Sequence, residues 1–487
     1  MVNPSQSVTA LVIVGFFTMD LFQDPVLLSR LQFALTISFH YIFPVFSIGL
    51  GLMLVLMEGL YLKTNNEVYH RMTHFWVSIF ALIFGIGVAT GIVMEFQFGT
   101  NWARYSRFVG DIFGSALAAE GIFAFFLESG FLALLVFGWD RVSKRMHFIA
   151  TCLVAFGAHF SAIWIVVANS WQQTPAGYHL VPHNGEIRAE MTDYWAMILN
   201  PSTLERLSHV VSGAWLAGAF LVLSVSAYYL LRNKHHDVAK AGMKIGLAVA
   251  MLASVFQLIT GHASALVVAY HQPTKLAAME GHFSSQGPAD LHILGWVFEQ
   301  QKETIGLAIP GGLSFLTYGS FNHPVTGLDA FAPDMRPPVN FVFQTYHIMV
   351  GIGMTLIALS LLGVWLGRKG QLWTNKPVLW AFVFSVLLPQ IANQTGWWTA
   401  CVGRQPWIVH GLMKTADGTS DNVSADHVLA SIVMFSVIYA MLFILFLYLL
   451  DRKIKRGPVF SMANAGDDVA HDPRLTIQSR EGDVDVL

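Results

Sequence analysis

The chain has 487 residues, of which 12% are charged and 54% hydrophobic, with 37 Phe and 14 Trp, and its formal net charge is −2. Soluble domains run near a quarter charged, so this composition belongs in a bilayer. The near-neutral charge gives no reason to expect a nucleic-acid partner. The two cysteines, Cys152 and Cys401, form neither a disulfide framework nor a CxxC metal pattern.

Residues 8–19, VTALVIVGFFTM, are a short apolar run before Asp20 and Asp24. A basic n-region and a small-residue cleavage site are not evident, so residues 1–27 are expected to form an interfacial segment rather than a cleaved leader. Nine membrane spans are expected thereafter: Gln32 to Leu60, Phe75 to Phe96, Ala116 to Trp139, Phe148 to Asn169, Leu207 to Leu231, Ile245 to Thr260, Phe341 to Leu366, Pro377 to Thr399 and Val428 to Leu450. At 1.5 Å per residue most of these cross a hydrocarbon core of roughly 30 Å, and the short sixth is expected to extend in both directions. None alternates as a barrel strand would. The fold class is therefore all-α: a polytopic membrane protein in which residues 28–260 hold spans 1–6 and residues 341–450 hold spans 7–9.

Basic residues are concentrated in the short connections after the odd-numbered spans, for example Arg141, Lys144 and Arg145 after the third and Arg452, Lys453, Lys455 and Arg456 after the ninth. The positive-inside rule then puts those connections and the C-terminus in the cytoplasm, and the N-terminus and the connection after span 6 outside. That connection, residues 261–340, is rich in Gly and Pro and too long to be idle, which suggests a lid or a binding surface. The polar tail, residues 451–487, is expected to be largely disordered beyond Gly457. No internal repeat supports an inverted-repeat transporter.

Span 3 carries two carboxylates, Glu120 and Glu128, in GDIFGSALAAEGIFAFFLES. They stand about 80° apart around a helix at about 100° per residue, on one broad face. An ionisable residue in a span usually faces a bundle interior and handles ions, protons or a cofactor. His40 lies in span 1, His209 begins span 5 and Met349 lies in span 7. Each reads either as a packed core residue or as an axial haem ligand, and His with Met is an axial set that raises a haem potential. His159, His262, His347, His410 and His427 read first as hydrogen-bonded polar groups. Span 8 ends in GWWTACVGRQPW, where Arg404 is suited to clamp carboxylates such as haem propionates, while Trp397, Trp398 and Trp407 also suit an interfacial belt.

Several stretches occur in an order that resembles subunit I of the cytochrome bd family of quinol:oxygen oxidoreductases: LSRLQFALT with His40, MEFQFGTNW, GDIFG…AAEG…FFLES, KLAAME at Lys275 to Glu280, and GRQPW at Gly403 to Trp407. The resemblance covers nearly all of the chain from Leu28 onward. It implies that His209 and Met349 ligate a low-spin haem b, and that His40 is the axial ligand in the environment of haem d, or of a haem b replacing it, with Glu120 opposite. It further implies that Glu128 lies in a proton-conducting region, that Trp397 bridges the haems, and that Lys275 and Glu280 form a pair used in quinol oxidation, the lysine holding the carboxyl pKa down. The implied partners are subunit II, small single-helix subunits, membrane quinol and oxygen, in a bacterial inner membrane. The connection after span 6 is of the family's shorter kind.

Two positions depart from the family pattern. His347 stands where Arg is common. Cys401 stands where the family has a Glu that ligates a high-spin haem b, so the thiol is either an alternative ligand or a lesion. A haem-bearing but impaired subunit and a proton-coupled transporter using Glu120 and Glu128 are the competing readings.

Overall fold

The computed structural model describes residues 23–183 and 185–458. Most of the interfacial segment 1–27 and of the tail 451–487 lies outside the described residues. Among them, nine helices are long and apolar enough to cross a membrane. They are span 1 (Pro25–Thr64), span 2 (Glu67–Thr100), span 3 (Ala103–Phe137), span 4 (Lys144–Gln173), span 5 (Thr203–Leu231), span 6 (His236–His271), span 7 (Pro333–Arg368), span 8 (Lys376–Val402) and span 9 (Ala425–Arg456). A helix satisfies its own backbone, which makes it the form in which an apolar segment can face lipid.

The expected spans are all present, and they run longer than their apolar cores. Polar residues at their ends supply the caps. The Asp24 carboxylate accepts from the Val26 amide at 2.8 Å, and Asn66, Ser143 and Asn375 cap spans 2, 4 and 8. Asn65 closes span 1 in the left-handed region at φ 49°, which allows a two-residue turn into span 2. Span 6 extends on both sides of the expected Ile245 to Thr260, so the connection after it starts at Gln272 rather than at residue 261. Span 3 begins at Ala103, ahead of the expected Ala116, because Arg104, Arg107 and Asp111 hide its first turns from a hydropathy reading. Its helix loosens into a π-turn at Glu120–Phe125. Span 8 is interrupted at Ser385 and Val386.

Span 5 is the centre of the bundle, with 83% of its apolar window buried against 11% for span 9. Small residues allow this. Gly49 of span 1 and Gly218 of span 5 meet backbone to backbone, where a Cβ on Gly49 would lie 2.0 Å from the Ala214 carbonyl oxygen. Around that contact Phe43, Leu50, Met53, Phe80, Phe220 and Phe382 are buried in one continuous core. A polar tie crosses it near the end of span 1, where Glu58 sits 2.6 Å from His147 Nδ1 of span 4.

Among the described residues three two-stranded hairpins, which helical periodicity did not reveal, lie in the connections: β1 (Tyr178–His183) with β2 (Glu186–Met191), β3 (Leu291–Phe298) with β4 (Glu303–Ile309), and β5 (Trp407–Val409) with β6 (Met413–Lys414). The connection after span 6 is thus folded. It opens with a short helix, Pro273–Glu280, started by proline and stopped by Gly281 at φ +61°, and then forms the β3–β4 ribbon. Ala277, Ala278, Val297, Leu328, Val342 and Phe343 form one buried cluster that docks helix and ribbon onto the start of span 7.

Candidate functional site

The ligand candidates lie on neighbouring helices of the bundle. Each histidine is oriented through Nδ1 by a threonine on the next helix: His40 Nδ1 is 3.0 Å from Thr90 Oγ1, and His209 Nδ1 is 3.2 Å from Thr260 Oγ1. The Thr90 and Thr260 hydroxyls also donate to carbonyls of their own helices at 3.0 Å. A hydroxyl committed in this way accepts from Nδ1–H, so each ring keeps its Nε2 as the free base, the form in which imidazole ligates a metal. The His209 Nε2 is faced by the Gln257 side-chain amide at 3.0 Å.

Two close approaches frame the second ligand pair. A Cβ on Gly261 would lie 3.2 Å from His209 Cε1, and one on Gly396 would lie 2.8 Å from the Met349 sulfur. Trp397, next to Gly396, has the Arg206 guanidinium 5.6 Å from its ring centroid and the Tyr41 ring edge-on at 5.6 Å. It therefore connects the turn before His209 with the neighbour of His40.

Two buried cations, Lys275 and Arg404, and the half-buried Arg206 converge beside this pair. Arg206 bonds to Asn169, Arg404 donates to Gln172 at 3.2 Å, and Lys275 donates to Gln173 and, at 2.6 Å, to Gln272. Among the described residues no ion pair involves any of the three, and Arg206 Nε has no partner. Burial, and then the positive charges of Arg206 and Arg404, push the Lys275 ammonium well below its usual pKa. Burial also lowers Arg404. His410 is held down to about 4 by burial and by Lys275 and Arg404. Uncompensated buried charge costs several kcal/mol per ion, so a cluster solvated only by amides is a receptor for anions. Cys401, half-buried on the last turn of span 8, lies within electrostatic range of all three cations.

This arrangement corrects the expected pairing of Lys275 with Glu280. Five residues apart on one helix, the two are about 140° apart around its axis. Lys275 enters the cation cluster, whereas Glu280 is buried on the other side, near Tyr346. Among the described residues Glu280 Oε2 has no hydrogen-bond partner. Burial pushes its pKa up to about 8, against the opposing effect of the Tyr346 hydroxyl, so no lysine holds this carboxyl down.

Glu120 opens the π-turn of span 3 and accepts from Ser161 Oγ of span 4 at 2.5 Å. Glu128 is buried, with its Cβ 3.0 Å from where a Cβ on Gly157 of span 4 would lie. No hydrogen bond among the described residues joins Glu120 to His40. His347 has both ring nitrogens 2.8 Å from carbonyl oxygens, Nδ1 to Phe343 and Nε2 to His292 in β3, and thereby ties span 7 to the ribbon. Trp407 opens β5, within 6.0 Å of Lys414 Nζ and 6.5 Å of the His410 ring. His159 is occupied on both sides, by the Ala155 carbonyl at 2.7 Å and by the Trp215 indole N–H at 2.8 Å.

Thr90, Thr260, Gln257, Tyr41, Arg206 and Tyr346 belong to the site and carried no sequence signal of their own. They act on residues far along the chain, and only Arg206, three residues before His209 at the mouth of an apolar span, could have been suspected. Oriented imidazole bases, a thioether over a glycine and unpaired buried cations together fit haem. Imidazole and thioether are the kinds of group that donate axially to haem iron, and guanidinium and ammonium match propionate carboxylates.

Comparison with known proteins agrees. Residues 28–458 match the family model of cytochrome bd terminal oxidase subunit I. The cytochrome bd ubiquinol oxidase subunit 1 of Bacillus subtilis (strain 168) is 41% identical over 441 residues, covering 88% of this chain and 93% of the relative. The cytochrome bd-II ubiquinol oxidase subunit 1 of Escherichia coli (strain K12) is 34% identical, covering 89% and 97%. The solved structure of bd oxidase from Geobacillus thermodenitrificans superposes with a TM-score of 0.82 at 30% identity, covering 89% of this chain and 99% of that one. With nine helices among the described residues long and apolar enough to cross a membrane, the chain belongs to the cytochrome bd terminal oxidase subunit I family, multi-pass proteins of the bacterial inner membrane.

Proposed function

We propose that this chain is the haem-bearing subunit of a quinol oxidase that oxidises quinol at the exterior face and reduces oxygen to water with protons drawn from the cytoplasm. The observation that carries the reading is the unpaired cluster of Arg206, Lys275 and Arg404 beside His209 and Met349 in a chain matched over residues 28–458 to this family. His209 and Met349 hold a low-spin haem b. His40 and Glu120 serve haem d or a haem b in its place, and Cys401 is the candidate ligand of a high-spin haem b. Arg404, Arg206 and Lys275 hold propionates, with His347 and Trp407 framing the same exterior end. Bound haems supply one-electron transfer and the iron at which oxygen is reduced.

The protein's own groups manage protons and position. Glu280, buried and with one unpartnered oxygen, accepts the quinol proton and passes it outward. Glu128 and the Glu120–Ser161 pair deliver protons from the cytoplasmic side. Uptake on one side and release on the other build a proton motive force without a pump. Trp397, between Arg206 and Tyr41, lies between the two ligand regions. The partners are subunit II and small single-helix subunits.

Two variants test the ligand assignments. Gly396→Ala forces the Met349 sulfur to retreat by about 1 Å to regain ordinary contact distance, which weakens its bond to iron. Because a Met ligand raises a haem potential, the low-spin haem midpoint is expected to fall while the haem is retained, as read by a potentiometric titration. Cys401→Ala is expected to remove the high-spin b signal, read as the carbon monoxide difference spectrum, and to leave the low-spin band intact. An unchanged high-spin signal makes Cys401 a bystander.

A further inference from the structure

The β3–β4 ribbon presents its apolar face outward. Leu294 pairs with Leu307 and Trp296 with Ile305 across the two strands, so all four side chains share one face. They are 66%, 61%, 53% and 58% exposed, respectively. The opposite face carries Gly295 paired with Gly306, and Val297, which is buried. A Cβ on Gly295 would meet the Phe343 ring at 3.4 Å, and one on Gly306 would lie 2.0 Å from the Leu294 carbonyl oxygen. Gly295 is thus spent on docking to span 7, Gly306 on the close approach of the two strands, and the large apolar residues on the outside, the reverse of a ribbon that faces water.

The ribbon's depth follows from its ties to span 7. Asn340 Oδ1 accepts from the Val297 amide at 3.2 Å, Gln344 donates to the Gly295 carbonyl at 2.9 Å, and His347 meets the His292 carbonyl at 2.8 Å. From Asn340 to His347 the helix rises about 10 Å, so β3 descends alongside its first two turns. From Ile348 to Leu366 span 7 has no charged residue, amide or histidine. The ties therefore end where the hydrocarbon-facing part of the span begins. The outer edge of β4 would go unsatisfied in hydrocarbon, which fixes the ribbon at the boundary of head groups and acyl chains, the level at which tryptophan is enriched.

We propose that this outward face is seated in the exterior leaflet, and that the ribbon is the lip over which quinol passes sideways from the bilayer to Glu280. The ribbon touches the Glu280 region directly: Thr304 Oγ1 donates to the Gly281 carbonyl at 2.7 Å. The lipid contact stands on the ribbon alone, whereas the lip role rests on the quinol reading above.

The assembled oxidase carrying Leu294→Cys, labelled with bimane and placed in phosphatidylcholine nanodiscs, tests the first part, with labelled wild type as the blank for Cys152 and Cys401. A lipid bearing a nitroxide near its head group is expected to quench the label, and aqueous iodide to leave it bright. Quenching by iodide alone, or by neither because a protein partner covers the face, would overturn the proposal. For the second part, Leu294→Glu/Leu307→Glu puts two charges on the lipid-facing surface, and is expected to raise the KM for a long-tailed quinol by about fivefold at unchanged kcat and haem content. The KM for a short-chain quinol supplied from water is expected to hold. An unchanged KM for the long-tailed quinol overturns the lip. A quenched label in an oxidase that does not turn over quinol would sink the quinol reading and leave the lipid contact standing.

Discussion

Glu280→Gln is expected to lower quinol-dependent oxygen uptake by about 10²–10⁴-fold, the usual range for loss of a general base. The haem spectrum should be unchanged, because Glu280 lies on the side of its helix turned away from the cation cluster. The substitution keeps size and shape and removes only the acid. Wild type supplies a second readout. Burial pushes the Glu280 pKa up to about 8, so near neutrality most of the carboxyl is protonated and unable to accept a proton. Activity is therefore expected to rise with pH through neutrality and level off above about 8, where the carboxylate dominates. A pH-rate profile of kcat/KM checks the sign. Had Lys275 paired with this carboxyl, the inflection would fall near or below the ordinary carboxylate range.

His209→Ala has the other large expected effect. Thr260 orients the ring, Gly261 makes room for it, and Arg206 stands one turn before it. Removing the imidazole leaves Met349 as a single weak donor, so the low-spin haem b band is expected to disappear and turnover to fall to background. Thr260→Val is the milder companion. It frees Nδ1 without touching iron, and outer-shell losses of this kind cost about 10–100-fold in affinity or activity. If His209→Ala kept a normal low-spin band, the His209/Met349 assignment would be wrong.

Much of this was legible in the sequence. The nine spans follow from runs of apolar residues, and the misplaced edges of spans 3 and 6 fall where polar residues continue a helix that hydropathy alone stops. Glu120, Glu128, His40 and His209 stood out because ionisable groups are rare in spans. The split of Lys275 from Glu280 was readable in principle from five-residue spacing on a helix, yet the lysine's true neighbours, Gln173 and Arg206, come from other spans. Gly261 and Gly396 read like any helix glycine, and only the fold brings His209 and Met349 beside them. The β3–β4 ribbon escaped a reading tuned to helical periodicity because its inner face is marked by glycines rather than by alternating apolar residues.

The central claim is that this chain holds the haems of an oxygen-reducing quinol oxidase. A reduced-minus-oxidised absorption spectrum of the purified complex, with pyridine extraction of its haems, tests it most directly. The account predicts a low-spin b band assignable to His209 and Met349, a second b-type haem, and a chlorin-type haem or a third b haem in its place. An intact, folded complex that carries no haem would contradict it.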